Sequence, residues 1–259
     1  MISTLVCVLR FVFRSVFLFL FIILLLVPIL MLANYYQGVN TAKGRQRADS
    51  TRMKLARWML LFFGIRVKSR GMPSETPVLF AANHISTLDV LVLYSAQPMG
   101  FVAKAEIEHW PLFSFMARTG GSIFHHRGSH DSAASVTATM VERLQQGYCV
   151  AIFPEGGILP GKSIRVFHAR MFRAAVDSKC PVQPLMVRYM RNGDIDEDFL
   201  FREGENMMTN IVRLLARPGV EADVHFLPVI DSKDRPRRAL ADAARAAVIV
   251  SYNDKLADD

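Results

Sequence analysis

A histidine and an aspartate stand five positions apart in residues 83–89, which read Asn-His-Ile-Ser-Thr-Leu-Asp. Histidine can accept a proton near neutral pH, and a nearby carboxylate can fix its tautomer and stabilise the imidazolium. On one continuous helix, His84 and Asp89 would point about 140° apart and could not pair. If the helix is capped at Ser86, Asp89 occupies its third position and faces back toward His84. The segment therefore predicts either a general base or a plain capping box.

Two further segments carry residue types suited to an anionic ligand. Residues 153–157 read Phe-Pro-Glu-Gly-Gly, typical of a tight turn in which two glycines let backbone amides approach a ligand. An ordinary β-turn would have the same sequence. Residues 120–127 read Gly-Gly-Ser-Ile-Phe-His-His-Arg, and a strand there would end near Arg127. Its guanidinium is suited to a phosphate or a carboxylate.

Other chemistries find little support in the sequence. No second cluster with metal-ligand spacing accompanies His125, His126 and His130, so no metal is expected. The absence of a Gly-x-Ser-x-Gly segment and of an obvious cysteine nucleophile disfavours a hydrolase that forms an acyl-enzyme. The three cysteines are far apart in apolar stretches, which indicates a reducing compartment.

Short apolar runs that alternate with helical segments must position these residues. Strands are predicted at 78–82, 101–103, 122–124, 149–153, 182–188 and 223–228, and helices at 87–96, 110–118, 131–146, 166–177 and 238–252. Continuous apolar strands are typical of a sheet that is covered on both faces. The pattern predicts an α/β fold, with a mixed, mostly parallel sheet flanked by helices. Ligand-handling residues commonly follow the strands of such sheets.

The N-terminal quarter of the chain has a different character. Residues 16–33 are almost entirely apolar and, as a helix, would span roughly 27 Å, about the thickness of a hydrocarbon core. Pro28 would kink this helix, and the run is too long for a cleaved signal peptide. Six basic residues between Lys43 and Arg57 place the following side in the cytoplasm. We expect a membrane-anchoring segment at 1–66 and a catalytic domain at 67–259.

A second apolar patch at 58–65 has two interpretations. It is either the second arm of a helical hairpin that dips into the membrane interface or the buried first helix of the globular domain. The excess of 31 Lys and Arg over 23 Asp and Glu gives a net charge of +8, which favours polyanionic partners. Composition alone does not distinguish nucleic acid from an anionic bilayer; the partner that we expect is membrane lipid, with no nucleic acid.

Taken together, these segments resemble the glycerolipid acyltransferase family, which includes 1-acylglycerol-3-phosphate (lysophosphatidate) acyltransferase. The family's first motif, Asn-His-x-Ser-x-x-Asp, is matched by Asn83, His84, Ser86 and Asp89. Its second, Gly-x-Ile-Phe-Ile-Asp-Arg, is met by Gly121, Ile123, Phe124 and Arg127, and its third by Phe153, Pro154, Glu155 and Gly156. Its fourth, Val-Pro-x-x-Pro, resembles residues 180–184. The resemblance covers about residues 66–228.

The resemblance implies an O-acyltransferase of phospholipid synthesis at the cytoplasmic side of a bacterial inner membrane. It would need no metal or other cofactor and would use acyl-CoA or acyl-carrier protein as the acyl donor. His84 would act as the general base, oriented by Asp89. The implied substrate-binding residues are Asn83, Ser86, Lys104, Arg127, Glu155, Gly156, Gly157 and Pro181.

Two departures from the family pattern concern the acceptor. Gly157 and Ile158 replace the family's Thr-Arg, so a phosphate-facing arginine is missing, for which Arg165 or Arg170 could compensate. Residues 167–170 read Phe-His-Ala-Arg in place of Phe-Lys-x-Gly. Lysophosphatidate is the leading acceptor and lyso-ornithine lipid the alternative, because some lyso-ornithine lipid enzymes look as if they lack the same arginine. The alternative of another class is a non-catalytic, membrane-bound module that binds polyanions.

Overall fold

The computed structural model describes residues 2–38, 42–125, 130–158, 160–161 and 163–254. Within these residues, eight strands form one mixed sheet in the order β1-β8-β6-β2-β5-β3-β4, and β7 pairs with β6. The strands are β1 (Ile65–Arg70), β2 (Leu79–Ala82), β3 (Gly100–Lys104), β4 (Ile123–His125), β5 (Val150–Ile152), β6 (Val182–Arg191), β7 (Asp194–Ile195) and β8 (Val220–Phe226).

Helices flank this sheet. They are α1 (Ile2–Phe21), α2 (Val27–Gly38), α3 (Ala42–Phe62), α4 (Asp89–Ala96), α5 (Pro111–Thr119), α6 (His130–Gln145), α7 (Arg173–Ser178), α8 (Met207–Ala216) and α9 (Arg237–Asn253). Short 3₁₀ helices lie at Ala105–His109, Ala169–Phe172 and Glu197–Phe199. The predicted fold class is confirmed.

The parallel part of the sheet carries the functional segments. Strands β6, β2, β5, β3 and β4 run parallel to one another, whereas β7 and β8 run antiparallel to β6. Every residue of β2 and β5 is buried, as their continuous apolar sequences predict. Because the five strands run in one direction, the loops that follow them leave from a single edge of the sheet.

Several elements differ from the sequence-based expectations. β1, β7 and α8 were not predicted, and β1 lies at the sheet edge with an alternating, half-exposed pattern that lacks an apolar run. The helix predicted at 166–177 begins only at Ala169, as a 3₁₀ turn followed by α7. β1 already joins the sheet at Ile65. The division of the chain at residues 66/67 stays a prediction.

The N-terminal apolar helix is longer than predicted. α1 and α2 form one run that is interrupted only by a π-helical turn at Ile22–Leu26, just before Pro28. Proline has no N–H to donate to the preceding turn, and a wider turn is a common way to accommodate such a break. The segment Thr4–Tyr35 is long and apolar enough to cross a membrane. It exposes many large apolar side chains, among them Leu9, Phe13, Phe19, Leu24 and Met31.

Helix α3 lies alongside α2, and the second apolar patch includes its last turn. Contact of this patch with a membrane interface stays a prediction. Met59, Leu60 and Phe63 are buried, whereas Trp58 and Leu61 are about half exposed. Leu55 and Met59 pack against Phe21, Leu26 and Leu30 of the N-terminal helix. The patch therefore has one face in the protein interior and one open face.

Polar contacts tie the N-terminal helices to the rest of the protein. Nη1 of Arg14 donates to the carbonyl oxygens of Leu215 (3.1 Å) and Arg217 (2.6 Å), and Nη1 of Arg10 donates to that of Ala216 (3.1 Å). Cations at the end of α8 satisfy carbonyl groups that have no partner within the helix. The two arginines, which on sequence alone only precede the apolar run, thus hold α1 against α8.

Candidate active site

The segments singled out in the sequence meet at one edge of the sheet. His84 follows the carboxyl end of β2, Glu155 follows that of β5, and Lys104 ends β3. Since these strands are parallel, their carboxyl ends lie at the same edge. Lys104 is exposed there and is in register with His125 of β4. Arg127, which was expected next to them, lies outside the described residues.

His84 and Asp89 are in direct contact. Nδ1 of His84 lies 2.9 Å from Oδ2 of Asp89. The same oxygen accepts hydrogen bonds from the backbone N–H groups of Ile85 (2.7 Å) and Ser86 (2.9 Å). Asp89 therefore holds the imidazole and also accepts the N–H of Ser86, as a capping box requires, whereas Oγ of Ser86 accepts the N–H of Leu88 and does not complete the box. The role of His84 as a general base stays a prediction. The regular helix α4 begins at Asp89 itself rather than at Ser86.

A tyrosine completes the surroundings of Asp89. The hydroxyl group of Tyr189, on β6, donates to Oδ1 of Asp89 at 2.7 Å. Burial, followed by the charge of Asp89, raises the pKa of Tyr189 well above its ordinary value, so the phenol stays a donor. Asp89 is fully buried and receives hydrogen bonds on both oxygens, which suits a carboxylate that can only accept. The sequence did not predict Tyr189, because it sits in an apolar strand 100 positions away.

The ring of His84 is also held on its face. It stacks on Phe153 with ring centroids 3.7 Å apart and an interplanar angle of 12°. Phe153 stacks in turn on Phe101, with centroids 5.6 Å apart. The side chain of His84 is 13% exposed, and Nε2 has no hydrogen-bond partner among the described residues. With Nδ1 bound to Asp89, Nε2 is the nitrogen left for a substrate.

Glu155 joins two loops at this edge. Its Oε1 accepts the backbone N–H of His84 (2.9 Å), and its Oε2 accepts that of Arg165 (2.8 Å). Burial raises the pKa of the Glu155 carboxyl, and the hydrogen bonds from Arg165 and His84 offset that rise only in part. Both oxygens hold protein backbone, so the structure gives Glu155 a part in positioning His84.

The glycines after Glu155 meet different constraints. Gly156 has a φ of +84°, a backbone conformation that favours glycine, whereas a Cβ there would only make ordinary contact with Cδ2 of His168 at 3.4 Å. Around Gly157, a Cβ would meet no described residue within 4 Å. The turn thus leaves open space next to the loop of His84.

Asn83 and Ser86 are fully buried and bind the protein itself. The side-chain amide of Asn83 donates to the carbonyl oxygen of Val187 and accepts its N–H, both at 2.8 Å. These bonds extend the pairing of β2 with β6 by one residue and fix where the His84 loop starts. Oγ of Ser86 accepts the N–H of Leu88 at 3.4 Å. Neither side chain has surface to offer a substrate in this arrangement.

Pro181 is not brought to this edge. It precedes Val182, which pairs with Leu79 at the start of β2, and its carbonyl oxygen accepts the N–H of Leu79 at 3.0 Å. Because β6 and β2 are parallel, Pro181 lies at the amino edge of the sheet, opposite His84. The order of strands in space, which the sequence does not reveal, separates it from the other motif residues. In the described parts of the chain, no group of three or more His, Cys, Asp or Glu residues could hold a metal ion.

Comparison with known proteins places this geometry in a family. A model of the acyltransferase family matches residues 64–188. The lyso-ornithine lipid O-acyltransferase of Pseudomonas aeruginosa is 34% identical over 209 residues, 78% of this chain and 80% of that protein. The enzyme of the same name from Rhodobacter capsulatus is 31% identical over 75% of this chain and 72% of its own.

Two further proteins extend the comparison. The 1-acyl-sn-glycerol-3-phosphate acyltransferase of Neisseria gonorrhoeae is 33% identical over 129 residues, 50% of this chain and 51% of that protein. The crystal structure of the 1-acyl-sn-glycerophosphate acyltransferase of Thermotoga maritima superposes with a TM-score of 0.70 over 97% of this chain and 98% of its own, at 16% identity, which shows a shared fold. The resemblance seen in the motifs is confirmed, and the chain belongs to the acyltransferase family, together with O-acyltransferases for lyso-ornithine lipid and 1-acylglycerol-3-phosphate.

Proposed function

We propose that this acyltransferase moves a fatty acyl group from an acyl thioester to the free hydroxyl of a lysolipid, with His84 as the general base. The donor is acyl-CoA or acyl-carrier protein. The observation that carries the proposal is the hydrogen bonding of the two ring nitrogens of His84. Its Nδ1 is bound by the buried carboxylate of Asp89 at 2.9 Å, while Nε2 is unpartnered among the described residues on a side chain that is partly exposed.

The proposed reaction proceeds by direct transfer. Nε2 of His84 accepts the proton of the acceptor hydroxyl as its oxygen attacks the thioester carbonyl carbon. The C–O ester bond forms, the C–S bond breaks, and the leaving thiolate receives the proton from the imidazolium. Asp89 stabilises the imidazolium through Nδ1–H, and Tyr189 holds the other carboxylate oxygen. An imidazole base suffices for these steps, so no metal or other cofactor is part of the proposal.

For the acceptor, we favour lyso-ornithine lipid. The motifs alone put lysophosphatidate first. Ile158 stands where the glycerolipid acyltransferase motif has an arginine, so one cation suited to a phosphate monoester is missing. Relatives named for lyso-ornithine lipid match over 72% and 80% of their length, whereas the Neisseria gonorrhoeae relative matches over 51%. Lysophosphatidate stays the second candidate, since Arg127, Glu155 and Gly156 retain the motifs.

The proposed site of action is the cytoplasmic face of a bacterial inner membrane. The apolar side chains exposed along Thr4–Tyr35 offer a large surface to lipid. The basic residues of α3, which include Arg45, Lys54 and Arg57, suit anionic headgroups. An enzyme held there would meet its lipid acceptor at the interface.

The proposal is tested by supplying the purified full-length enzyme with acyl-CoA and a panel of acceptors in vesicles. The panel contains lyso-ornithine lipid, lysophosphatidate and monoacylglycerol, and both the new ester and the released thiol are quantified. We expect one ester per thiol released, with the highest kcat/KM on lyso-ornithine lipid. Thiol release without an ester would identify a thioesterase, and a higher kcat/KM on lysophosphatidate would reverse the order of acceptors.

A further inference from the structure

Residues 163–168 cross the glycine turn of the site without forming a helix, and the rest of the protein holds their backbone at several points. The N–H of Arg165 binds Oε2 of Glu155 at 2.8 Å, and the N–H of His168 binds the carbonyl oxygen of Pro154 at 2.9 Å. From α9, Arg245 donates to the carbonyl oxygens of Arg165 (2.6 Å) and Ile164 (2.9 Å). These contacts explain why the helix predicted from Val166 starts late.

The side chains of this segment separate into buried and exposed groups. Ile164 and Phe167 are buried in the core, whereas Arg165, Val166 and His168 are exposed. The guanidinium of Arg165 has no hydrogen bond or ion pair with any residue that the structure describes. Next to it, Val166 is 65% exposed. A free cation beside an exposed apolar group suits a lipid, in which a charged headgroup adjoins hydrocarbon.

Glu155 fixes the position of the Arg165 backbone relative to His84. A single carboxylate binds the backbone N–H groups of His84 and Arg165, one on each oxygen. Arg165 is therefore a neighbour of the proposed base at the open edge of the sheet. Arg170 has no such link, because it lies five positions further on, in the 3₁₀ helix Ala169–Phe172.

We propose that Arg165 binds the anionic group of the acceptor lysolipid and that Arg245 is its positioning residue. This inference rests on the proposed function and assigns its acceptor subsite. Both candidate acceptors carry a suitable anion, a carboxylate in the ornithine headgroup and a phosphate in lysophosphatidate. A guanidinium can bind either with two parallel hydrogen bonds. Arg165 thereby supplies the cation that Ile158 does not.

The test is the steady-state kinetics of the full-length enzyme in vesicles, with each substrate varied in turn. Arg165→Ala is expected to raise the KM for the anionic acceptor about 10- to 100-fold, the range for one lost charge-assisted contact. The kcat, the KM for acyl-CoA and the KM for uncharged monoacylglycerol stay unchanged. Arg165→Lys gives an intermediate KM because it keeps the charge but loses the two-pronged contact. The matched control is Arg238→Ala, an exposed arginine of α9.

Arg245→Gln tests the positioning role. We expect a rise in acceptor KM of about 3- to 10-fold, and the double variant Arg165→Ala/Arg245→Gln should match Arg165→Ala alone, since Arg245 acts only through Arg165. An additive double variant would overturn that role. The assignment of Arg165 to the acceptor would be overturned if Arg170→Ala, but not Arg165→Ala, raised the acceptor KM. It would also be overturned if Arg165→Ala altered the KM for acyl-CoA. Neither result would contradict acyl transfer itself. Native enzyme that acylates no lysolipid would instead refute the proposed function, and this inference with it.

Discussion

Two aspartates are almost equally buried in this protein, yet their partners differ in kind. Asp89 binds an imidazole, a phenol and two backbone amides, whereas the carboxylate of Asp223 binds, among the described residues, only the guanidinium groups of Arg70 and Arg188. Guanidinium groups stay protonated at any physiological pH, so the second cluster has no proton to exchange. Burial of a carboxylate therefore does not distinguish the proposed catalytic pair from a structural ion pair, whereas a titratable partner that reaches the surface does.

One strand serves both clusters. Arg188 and Tyr189 are neighbours on β6, so their side chains point to opposite faces of the sheet. Tyr189 reaches Asp89, while Arg188 binds Asp223, its partner on the neighbouring strand β8. Arg188 also donates to the carbonyl oxygens of Tyr252 (3.0 Å) and Asp254 (2.7 Å) at the end of α9. The two faces of β6 thus separate the proposed chemistry from the attachment of the last helix.

The largest effect is expected from His84→Ala. A general base contributes about 10²–10⁴-fold to the rate, so kcat for acyl transfer should fall by that range. Stability should also fall by about 1–3 kcal/mol, because the buried Asp89 loses a partner and Phe153 loses its stacking contact, so kcat is compared for the folded fraction. Acyl transfer and thermal unfolding are measured on the same preparation. Turnover close to that of the native enzyme would refute the proposed mechanism.

Asp89→Asn should reduce kcat by about 10- to 10³-fold, less than loss of the base itself. An asparagine whose oxygen takes the place of Oδ2 keeps the contacts with His84 and the two amides, and its NH₂ group can donate to Tyr189. The main loss is the negative charge, so stability should fall by only about 1 kcal/mol. A variant that unfolds would show that the charge is mainly structural.

Asp223→Asn should lower stability and leave turnover unchanged, the reverse of Asp89→Asn. In the described part of the chain, both oxygens of Asp223 accept from guanidinium donors alone, so the NH₂ group of an asparagine must meet a donor. The buried Arg188 also loses its counter-charge, and stability should fall by about 3 kcal/mol, measured by denaturant unfolding. The kcat of the folded fraction should stay at the native value. A loss of kcat like that of Asp89→Asn would erase the distinction between the two clusters.

Tyr189→Phe should have a smaller effect on turnover. It removes one donor from a fully buried carboxylate, at a cost of about 1–3 kcal/mol in stability, and we expect kcat to fall about 3- to 10-fold with KM unchanged. The matched control is Tyr252→Phe, because this buried hydroxyl has no hydrogen-bond partner in the described part of the chain. The control should keep full activity. Equal losses in both variants would mean that the hydroxyl of Tyr189 contributes only packing.

The smallest effect concerns Glu155 and pH. Burial raises the pKa of Glu155 from its ordinary value of 4.5, so the folded protein holds this proton more tightly than the unfolded chain. Its contribution to stability is complete below pH 4.5 and is lost as pH rises through the raised pKa. The stability advantage of the native protein over Glu155→Gln should therefore shrink as pH rises through this window, measured by urea unfolding. A constant difference would show that Glu155 has its ordinary pKa.

The sequence predicts those parts of the protein whose causes are local. Continuous apolar runs predicted six of the strands. The contact of His84 with Asp89 could be predicted from helix capping because the two residues are only five positions apart. Tyr189 escaped prediction because its partner is 100 positions away and a hydroxyl in an apolar strand carries no distinguishing pattern. The helix from Val166 failed because backbone groups of that segment bind Glu155, Pro154 and Arg245 instead of each other.

Spatial order of the strands explains the remaining differences. Pro181 belongs to a motif, but the parallel pairing of β6 with β2 puts it at the far edge of the sheet. Asn83 and Ser86 also match a motif, and the structure uses both to hold the loop of His84. A motif therefore records which residues a site depends on, without separating those that touch a substrate from those that fix the loop.

The π-helical turn at Ile22–Leu26 has a geometric consequence for the whole N-terminal rod. Leu18, before the turn, packs toward the main core, and Leu26 is buried against α3. On a regular α-helix, residues eight apart are about 80° out of phase, but the extra residue of a π turn makes the spacing equivalent to seven, about 20° out of phase. The same face of the helical segment formed by α1 and α2 can thus pack against the protein on both sides of the π turn. In the proposed membrane-bound enzyme, this two-point attachment would restrict how far the sheet can tilt relative to the lipid.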